Sequence, residues 1–280
     1  MSRAIRALVD GLPADVIAIN DRGLQYGHGM FETCRVVGGQ IPLWHYHRAR
    51  LITTAVRLQI PLDLRSIERD VAALAASATG GVLKVLVTAG ESGRGYRSDG
   101  HPARTIITLF PPRARAEDRR LGVTVRICRT RLSEQPALAG LKHLNRLEQV
   151  LARAEWDDPD IAEGLMCDTG GRLIEGTATN LFLVRDGHIV TASLDRCGVA
   201  GVLRQVLLDE RPGIDVPIEV RDINLDELRY ADECFLTNAV IGVWSVARVM
   251  DLAGVALRHG RMTARIAAVL EARFGFDDSL

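Results

Sequence analysis

The sequence predicts a mixed α+β (irregular α/β) protein of two domains, and three observations lead there. The chain has 280 residues, more than the roughly 100–200 of a common domain. Strand-like and helix-like stretches follow one another without the regular βαβ rhythm of a parallel sheet. The run Pro111-Pro112-Arg113-Ala114-Arg115-Ala116-Glu117-Asp118-Arg119-Arg120 then divides the chain, because paired prolines cannot continue a strand. Its arginines read as a solvated connector in a chain of balanced charge. The expected boundaries are 1–112 for an N-terminal α/β domain, 113–120 for a linker and 121–280 for a C-terminal domain.

The elements follow in order. Residues 5–9 and 16–19 are short β-rich runs either side of Gly11-Leu12-Pro13, and 30–37 is a longer one closed by Gly38-Gly39. Helical patterns over 44–58 and 64–77 are separated by Pro61. Strands are expected at 82–89 and 105–110, around a polar, glycine-containing loop over 90–102; loops of that length in a compact domain are usually functional. Beyond the connector come a strand at 123–128, a helix from 145 to 156, and strands at 164–167, 173–174 and 180–184. Asp186-Gly187 is a hairpin turn leading to 188–191. A helix from Val202, strands at 217–220 and 233–237, and a helix over 261–274 complete the pattern.

Composition narrows the function. The hydrophobic fraction of 47%, charged fraction of 25% and mean hydropathy of +0.07 are those of a soluble globular protein. The 35 basic and 35 acidic residues cancel, which argues against nucleic acid as a partner, since affinity for phosphate backbones needs accumulated positive charge. No stretch approaches the 18 or so apolar residues that span a bilayer, and the first residues lead to no secretory apolar region. Five cysteines, widely spaced and without a C-x-x-C pair, suit reduced thiols in a cytoplasm.

Several chemistries find no support. Neither a P-loop nor a G-x-G-x-x-G phosphate turn occurs, and there is no G-x-S-x-G elbow. His45 and His47 are two apart at a helix start and point to different faces, so no metal site is expected. What remains is a scarcity. Of 35 basic residues only Lys84 and Lys142 are lysine, so chemistry that needs a primary amine has two candidates. Lys84 lies inside a strand pattern and reads as a paired or snorkelling structural lysine. Lys142 lies where a loop meets a helix, a place from which a desolvated amine can act as a nucleophile.

The run Lys142-His143-Leu144-Asn145-Arg146-Leu147-Glu148-Gln149-Val150 resembles the active-site segment of the aminodeoxychorismate lyases. They are a branch of the fold-type IV pyridoxal-phosphate family, which includes the branched-chain and D-amino-acid aminotransferases. The likeness continues in Asp21-Arg22-Gly23-Leu24-Gln25-Tyr26-Gly27-His28-Gly29-Met30-Phe31-Glu32-Thr33, Gly93-Arg94-Gly95-Tyr96, Glu175 with Asn180-Leu181-Phe182, the run 198–205, and Phe235-Leu236-Thr237-Asn238. It implies a smaller N-terminal α/β domain and a larger C-terminal pseudo-barrel domain that binds pyridoxal 5'-phosphate. It also implies a homodimer with active sites near the subunit interface.

By this resemblance Lys142 is the residue that carries the cofactor and moves protons, and Glu175 bonds the pyridine nitrogen. A carboxylate there keeps that nitrogen protonated, so the ring accepts electrons. Arg50 matches the phosphate-binding arginine, and the amides of Val202 and Leu203 at a helix N-terminus cradle the same phosphate. Asn238 stands where many aminotransferases place a hydroxyl on the phosphate, and His28 where aspartate is common. The implied substrate is 4-amino-4-deoxychorismate, cleaved to 4-aminobenzoate and pyruvate. Arg94, Tyr96 and Arg97 are candidates for its carboxylates, since arginine binds carboxylate bidentately. Tyr26, Phe31 and Thr33 are expected to line the pocket, the last two on one strand face. The alternatives are an aminotransferase on D-amino or branched-chain amino acids, and a non-catalytic scaffold of the same fold.

Overall fold

A computed structural model describes residues 6–98, 100–112, 122–252, 255–257 and 260–276. The described chain forms two units, one holding residues up to 112 together with Leu141–Asn145 and the other holding the rest. The proposed linker 113–120 lies outside the described residues.

The first unit is built on five antiparallel strands in the order β2-β1-β5-β4-β3: β1 (Arg6–Val9), β2 (Leu12–Pro13), β3 (Gly29–Val37), β4 (Gly80–Thr88) and β5 (Arg104–Phe110). A short helix α1 (Arg22–Tyr26) precedes β3, while α2 (Trp44–Leu58) and α3 (Leu64–Ala76) follow it. Alternation along β3 sorts its side chains. Met30, Cys34 and Val36 join Leu83, Val85, Ile107, Leu51 and Ile67 in the buried core. Phe31 and Thr33 take the other face, with Lys84 directly opposite Thr33.

The second unit contains β6 (Val123–Ile127), α4 (Leu147–Arg153), β7 (Ile161–Cys167), β8 (Leu173–Gly176), β9 (Asn180–Arg185), β10 (His188–Ala192), α5 (Val202–Glu210), β11 (Ile218–Arg221), β12 (Glu233–Asn238), β13 (Gly242–Val249) and α6 (Arg261–Phe274). Its sheet runs β11-β10-β9-β12-β13-β6-β7-β8, and β8 also pairs with β9. Six strands therefore close into a ring, and the closing pair is Glu175 with Asn180. Strands β9 and β12 are buried on both faces, which is why 181–184 and 234–236 read as unbroken apolar runs. Phe182 and Phe235 stack across the ladder at 4.8 Å.

Four points differ from the expectations. Residues 16–19 form no strand, and Val16 and Ile19 are exposed; the neighbouring edge, β2, is two residues long and includes Pro13, so it offers almost no ladder to extend. The helix expected from 145 begins only at Leu147, because the backbone before it is spent on β3. That pairing also places Leu141–Asn145 in the first unit, whereas the expected boundary put them in the C-terminal domain. Strand β13 had no counterpart in the sequence reading; it returns from β12 through a turn held by the Asn238 side chain instead of a glycine dipeptide.

Candidate active site

Strand β3 is the edge of its sheet, and the segment carrying Lys142 completes that edge. The Phe31 amide donates to the Lys142 carbonyl at 3.0 Å and the Leu144 amide donates to the Gly29 carbonyl at 2.9 Å, with Met30 opposite His143. Close packing explains the Gly27-His28-Gly29 motif: a Cβ on Gly29 would lie 2.6 Å from both Leu144 Cδ1 and the Val87 carbonyl, and one on Gly27 would lie 2.2 Å from Asn145 Oδ1. The lysine is thus fixed by backbone pairing, with Nζ 4.3 Å from the centre of the Phe31 ring. Lys84 Nζ lies 5.1 Å from the same ring, and burial lowers its pKa. Both lysines of the chain meet at one phenyl ring.

Behind this face, α2 sends two side chains to Glu32 on β3. Arg50 donates from Nε (2.7 Å) and Nη2 (2.5 Å) to the two carboxylate oxygens, and His47 Nδ1 stands 2.6 Å from Oε2. Burial alone would raise the Glu32 pKa, but Arg50 and His47 hold it down to about 2. Burial lowers the His47 pKa below its ordinary value, and its Nε2 is buried with no hydrogen-bond partner.

The loop after β4 is held from below by Arg22, itself 3% exposed. Its guanidinium donates to Ser92 Oγ (2.8 Å) and to the carbonyls of Gly95 (3.0 Å) and Tyr96 (2.8 Å), and its Nε donates to His28 Nδ1 at 3.2 Å. His28 Nε2 in turn faces the Leu58 carbonyl at 2.9 Å, which makes Nε2 the protonated nitrogen. His28 is a strut between α2 and the loop-holding arginine. Tyr26 meets Tyr96 edge-on at 5.6 Å and accepts from the Gly95 amide. Arg94, Tyr96 and Arg97 are exposed.

In the second unit Glu175 is buried at the ring's closing pair. Its Oε2 accepts from the Val199 amide at 2.8 Å and lies 3.5 Å from Asn180 Nδ2. Asn180 also donates to the Val199 carbonyl (2.8 Å) and accepts from the Gly201 amide (3.0 Å). A Cβ on Gly201 would fall 2.0 Å from Asn180 Oδ1, so glycine is required there. Helix α5 starts on Gly201 with no side-chain cap, which leaves the amide dipoles of Val202 and Leu203 for another acceptor. Arg146 and Arg204 are both acted on by the Glu175 charge, which opposes the effect of burial on them. Across the ladder from Asn180, Thr237 Oγ1 is buried with no hydrogen-bond partner. The Asn238 amide is taken up in the fold, by the Ala178 carbonyl and the amides of Val240 and Ile241.

Sequence reasoning passed over Glu163. It is buried and receives the Thr177 hydroxyl (2.5 Å), the Thr179 hydroxyl (3.1 Å) and the amides of Gly164, Thr177 and Ala178, and so fixes the turn between Glu175 and Asn180.

These two sets of groups, an amine on a sheet edge in one unit and a buried carboxylate beside an uncapped helix start in the other, accord with the family match. Residues 29–249 match the class IV amino-transferase family, and the chain belongs to that family. It is 37% identical over 246 residues to the aminodeoxychorismate lyase of Vibrio harveyi, covering 86% of this chain and 90% of that protein. The crystal structure of 4-amino-4-deoxychorismate lyase from Pseudomonas aeruginosa matches with a TM-score of 0.91 at 46% identity, over 95% of this chain and 98% of that one. The branched-chain amino acid aminotransferase of Escherichia coli shares the fold at TM-score 0.81 and 21% identity, over 99% and 97% of the two chains.

Proposed function

We propose that the chain is a pyridoxal-phosphate-dependent lyase that converts 4-amino-4-deoxychorismate to 4-aminobenzoate and pyruvate. The observation that carries the reading is Lys142, one of two lysines in the chain, fixed by backbone bonds to β3 within a nine-residue run characteristic of the lyase branch. The relatives at 37% and 46% identity over 86% and 95% of the chain bear lyase names, while aminotransferase relatives stand at 21%, at 28% and, over 58% of the chain, at 32%.

The residues present fit the cofactor. In the first unit Lys142 would supply the amine and Arg50 a guanidinium for phosphate; in the second Glu175 would supply a buried carboxylate for a ring nitrogen and the first amides of α5 donors for an anion. The partnerless Thr237 hydroxyl supplies a further polar group. When bound, pyridoxal phosphate supplies an electron-accepting ring that makes a neighbouring C–H acidic. The Glu175 carboxylate, whose charge acts on both Arg146 and Arg204, would favour a protonated ring nitrogen. With the cofactor and substrate in place, Lys142 would take the proton from C4 of the substrate ring. It then delivers a proton to the departing enolpyruvyl oxygen. Loss of that group leaves the ring aromatic and the enol becomes pyruvate. Lys84, on the same phenyl ring, offers a cation for a substrate carboxylate, and the exposed Arg94 and Arg97 offer others.

A homodimer accompanies this reading. Leu147, Val150 and Leu151 form an exposed apolar stripe at i, i+3 and i+4 on α4, the kind of face a second subunit covers. A cytoplasmic location is supported by five free, buried cysteines, and no helix among the described residues is long and apolar enough to cross a membrane.

The test is purified protein with pyridoxal phosphate and 4-amino-4-deoxychorismate, followed by borohydride reduction and peptide mapping. The expected result is 4-aminobenzoate and a reduced adduct on Lys142. Turnover that needs a keto acid and yields no aromatic product would favour the aminotransferase, and an adduct on Lys84 would overturn the assignment of the lysine.

A further inference from the structure

Glu32 has no part in the chemistry described above, yet it is the most heavily engaged acid of the first unit. It lies on the buried face of an edge strand, and α2 turns two side chains, three residues apart, onto it. An ionised carboxylate in a core is costly unless charge and hydrogen bonds compensate it. Here Arg50 grips both oxygens through Nε and Nη2, and His47 completes the set.

We propose that Glu32 is the positioning residue for Arg50, fixing the direction in which its guanidinium is presented to the cofactor phosphate. This rests on the reading of Arg50 as a phosphate ligand. A guanidinium is planar and rigid, so a carboxylate that holds the Nε–Nη2 edge determines where the remaining edge points. The long arginine side chain then enters binding with its rotamers already set. His47 supports the arrangement without adding charge. The ionised Glu32 can only accept, so the His47 proton sits on Nδ1, and burial, aided by the charges of Arg50 and Lys142 and opposed by Glu32, favours the neutral ring.

The inference makes a prediction of unusual sign. By charge alone, Glu32 repels a phosphate, and removing it should tighten binding. By positioning, removing it should weaken binding. The experiment titrates apoprotein with pyridoxal phosphate and with pyridoxal, which lacks the phosphate, and takes the ratio of the two affinities. A general structural defect moves both affinities together and leaves the ratio alone. Glu32→Gln is expected to lower the preference for pyridoxal phosphate roughly tenfold or more, the size seen when the hydrogen-bond partner behind a metal ligand is removed. Glu32→Asp, which keeps the charge and shortens the reach by one methylene, is expected to do likewise, and it serves if the glutamine variant does not fold. A ratio that is unchanged or raised in these variants overturns the inference. Arg50→Lys separates the two levels: if it lowers the ratio while the Glu32 variants do not, only the positioning role falls, and if it leaves the ratio intact the phosphate assignment of Arg50 falls as well.

Discussion

Asn180 ties three parts of the second unit together, and its removal has a cost that can be worked out bond by bond. Asn180→Ala would strip the Val199 carbonyl and the Gly201 amide of their partners, which now sit at 2.8 and 3.0 Å. Each buried group left unpaired costs about 1–3 kcal/mol. The longer approach to Glu175, at 3.5 Å, adds little. The sum is about 2–6 kcal/mol at a position only 5% exposed. At about 2–4 °C per kcal/mol for a body of this size, the thermal midpoint should fall by about 4 °C or more. Asn180→Asp gives the sharper outcome. Though nearly isosteric, it loses the donor to the Val199 carbonyl and sets a second carboxylate against Glu175, so it should destabilise at least as much as alanine at neutral pH. Calorimetry of the two variants decides the matter. An aspartate variant as stable as the parent, or an alanine variant within a degree of it, would refute the view that Asn180 holds this corner together.

Acid should act on the first unit in two stages. The folded-state pKa of His47 lies below its ordinary 6.5 and that of Glu32 falls from 4.5 to about 2, so in both cases the unfolded chain binds protons first and stability falls with pH. His47 contributes to the loss as pH drops below 6.5, and the Glu32 contribution is present above 4.5 and disappears between there and about 2. Urea midpoints at pH 7 and pH 5 should differ less in His47→Gln than in the parent; equal differences would contradict the buried neutral ring. Arg22→Lys replaces a planar fork of donors by a single ammonium and should release the loop over 92–97. Limited trypsin digestion should then cut after Arg94 and Arg97 several times faster than in the parent, and unchanged rates would show that the loop is held elsewhere.

What could be read in the sequence depended on how local its cause was. Helix α2 was expected at its observed bounds, Trp44–Leu58, because its periodicity and its breaker Pro61 lie within it or nearby. Lys142 stood out because primary amines are scarce here. By contrast, the engagement of Glu32 needs α2 folded back on β3, and an acid in a strand otherwise reads as a surface residue. The role of His28 was illegible for the same reason, since its partners Arg22 and Leu58 meet only once helix, strand and loop are assembled. Asn238 shows the other side of this: its position in a motif pointed to phosphate, while the part its side chain plays in the turn into β13 was not legible.

The closed ring of the second unit has a consequence for how the chain reaches its working form. Its seam, Glu175 with Asn180, joins residues five apart, and a loop that short closes at little entropic cost. The pairing of β13 with β6 joins Val246 to Val123, 123 positions away (246 − 123), and such non-local contacts form late. The buried carboxylate and the turn that Glu163 fixes therefore belong, with the β12–β13 hairpin that sets Asn238 opposite Gly242, to the local pairings of the ring, available before the ring itself is complete. Pulse-labelled hydrogen exchange should find the β8–β9 amides protected ahead of those shared by β6 and β13. The corner around Glu175 would then be one of the parts from which assembly proceeds, with the distant strands closing onto a corner already formed.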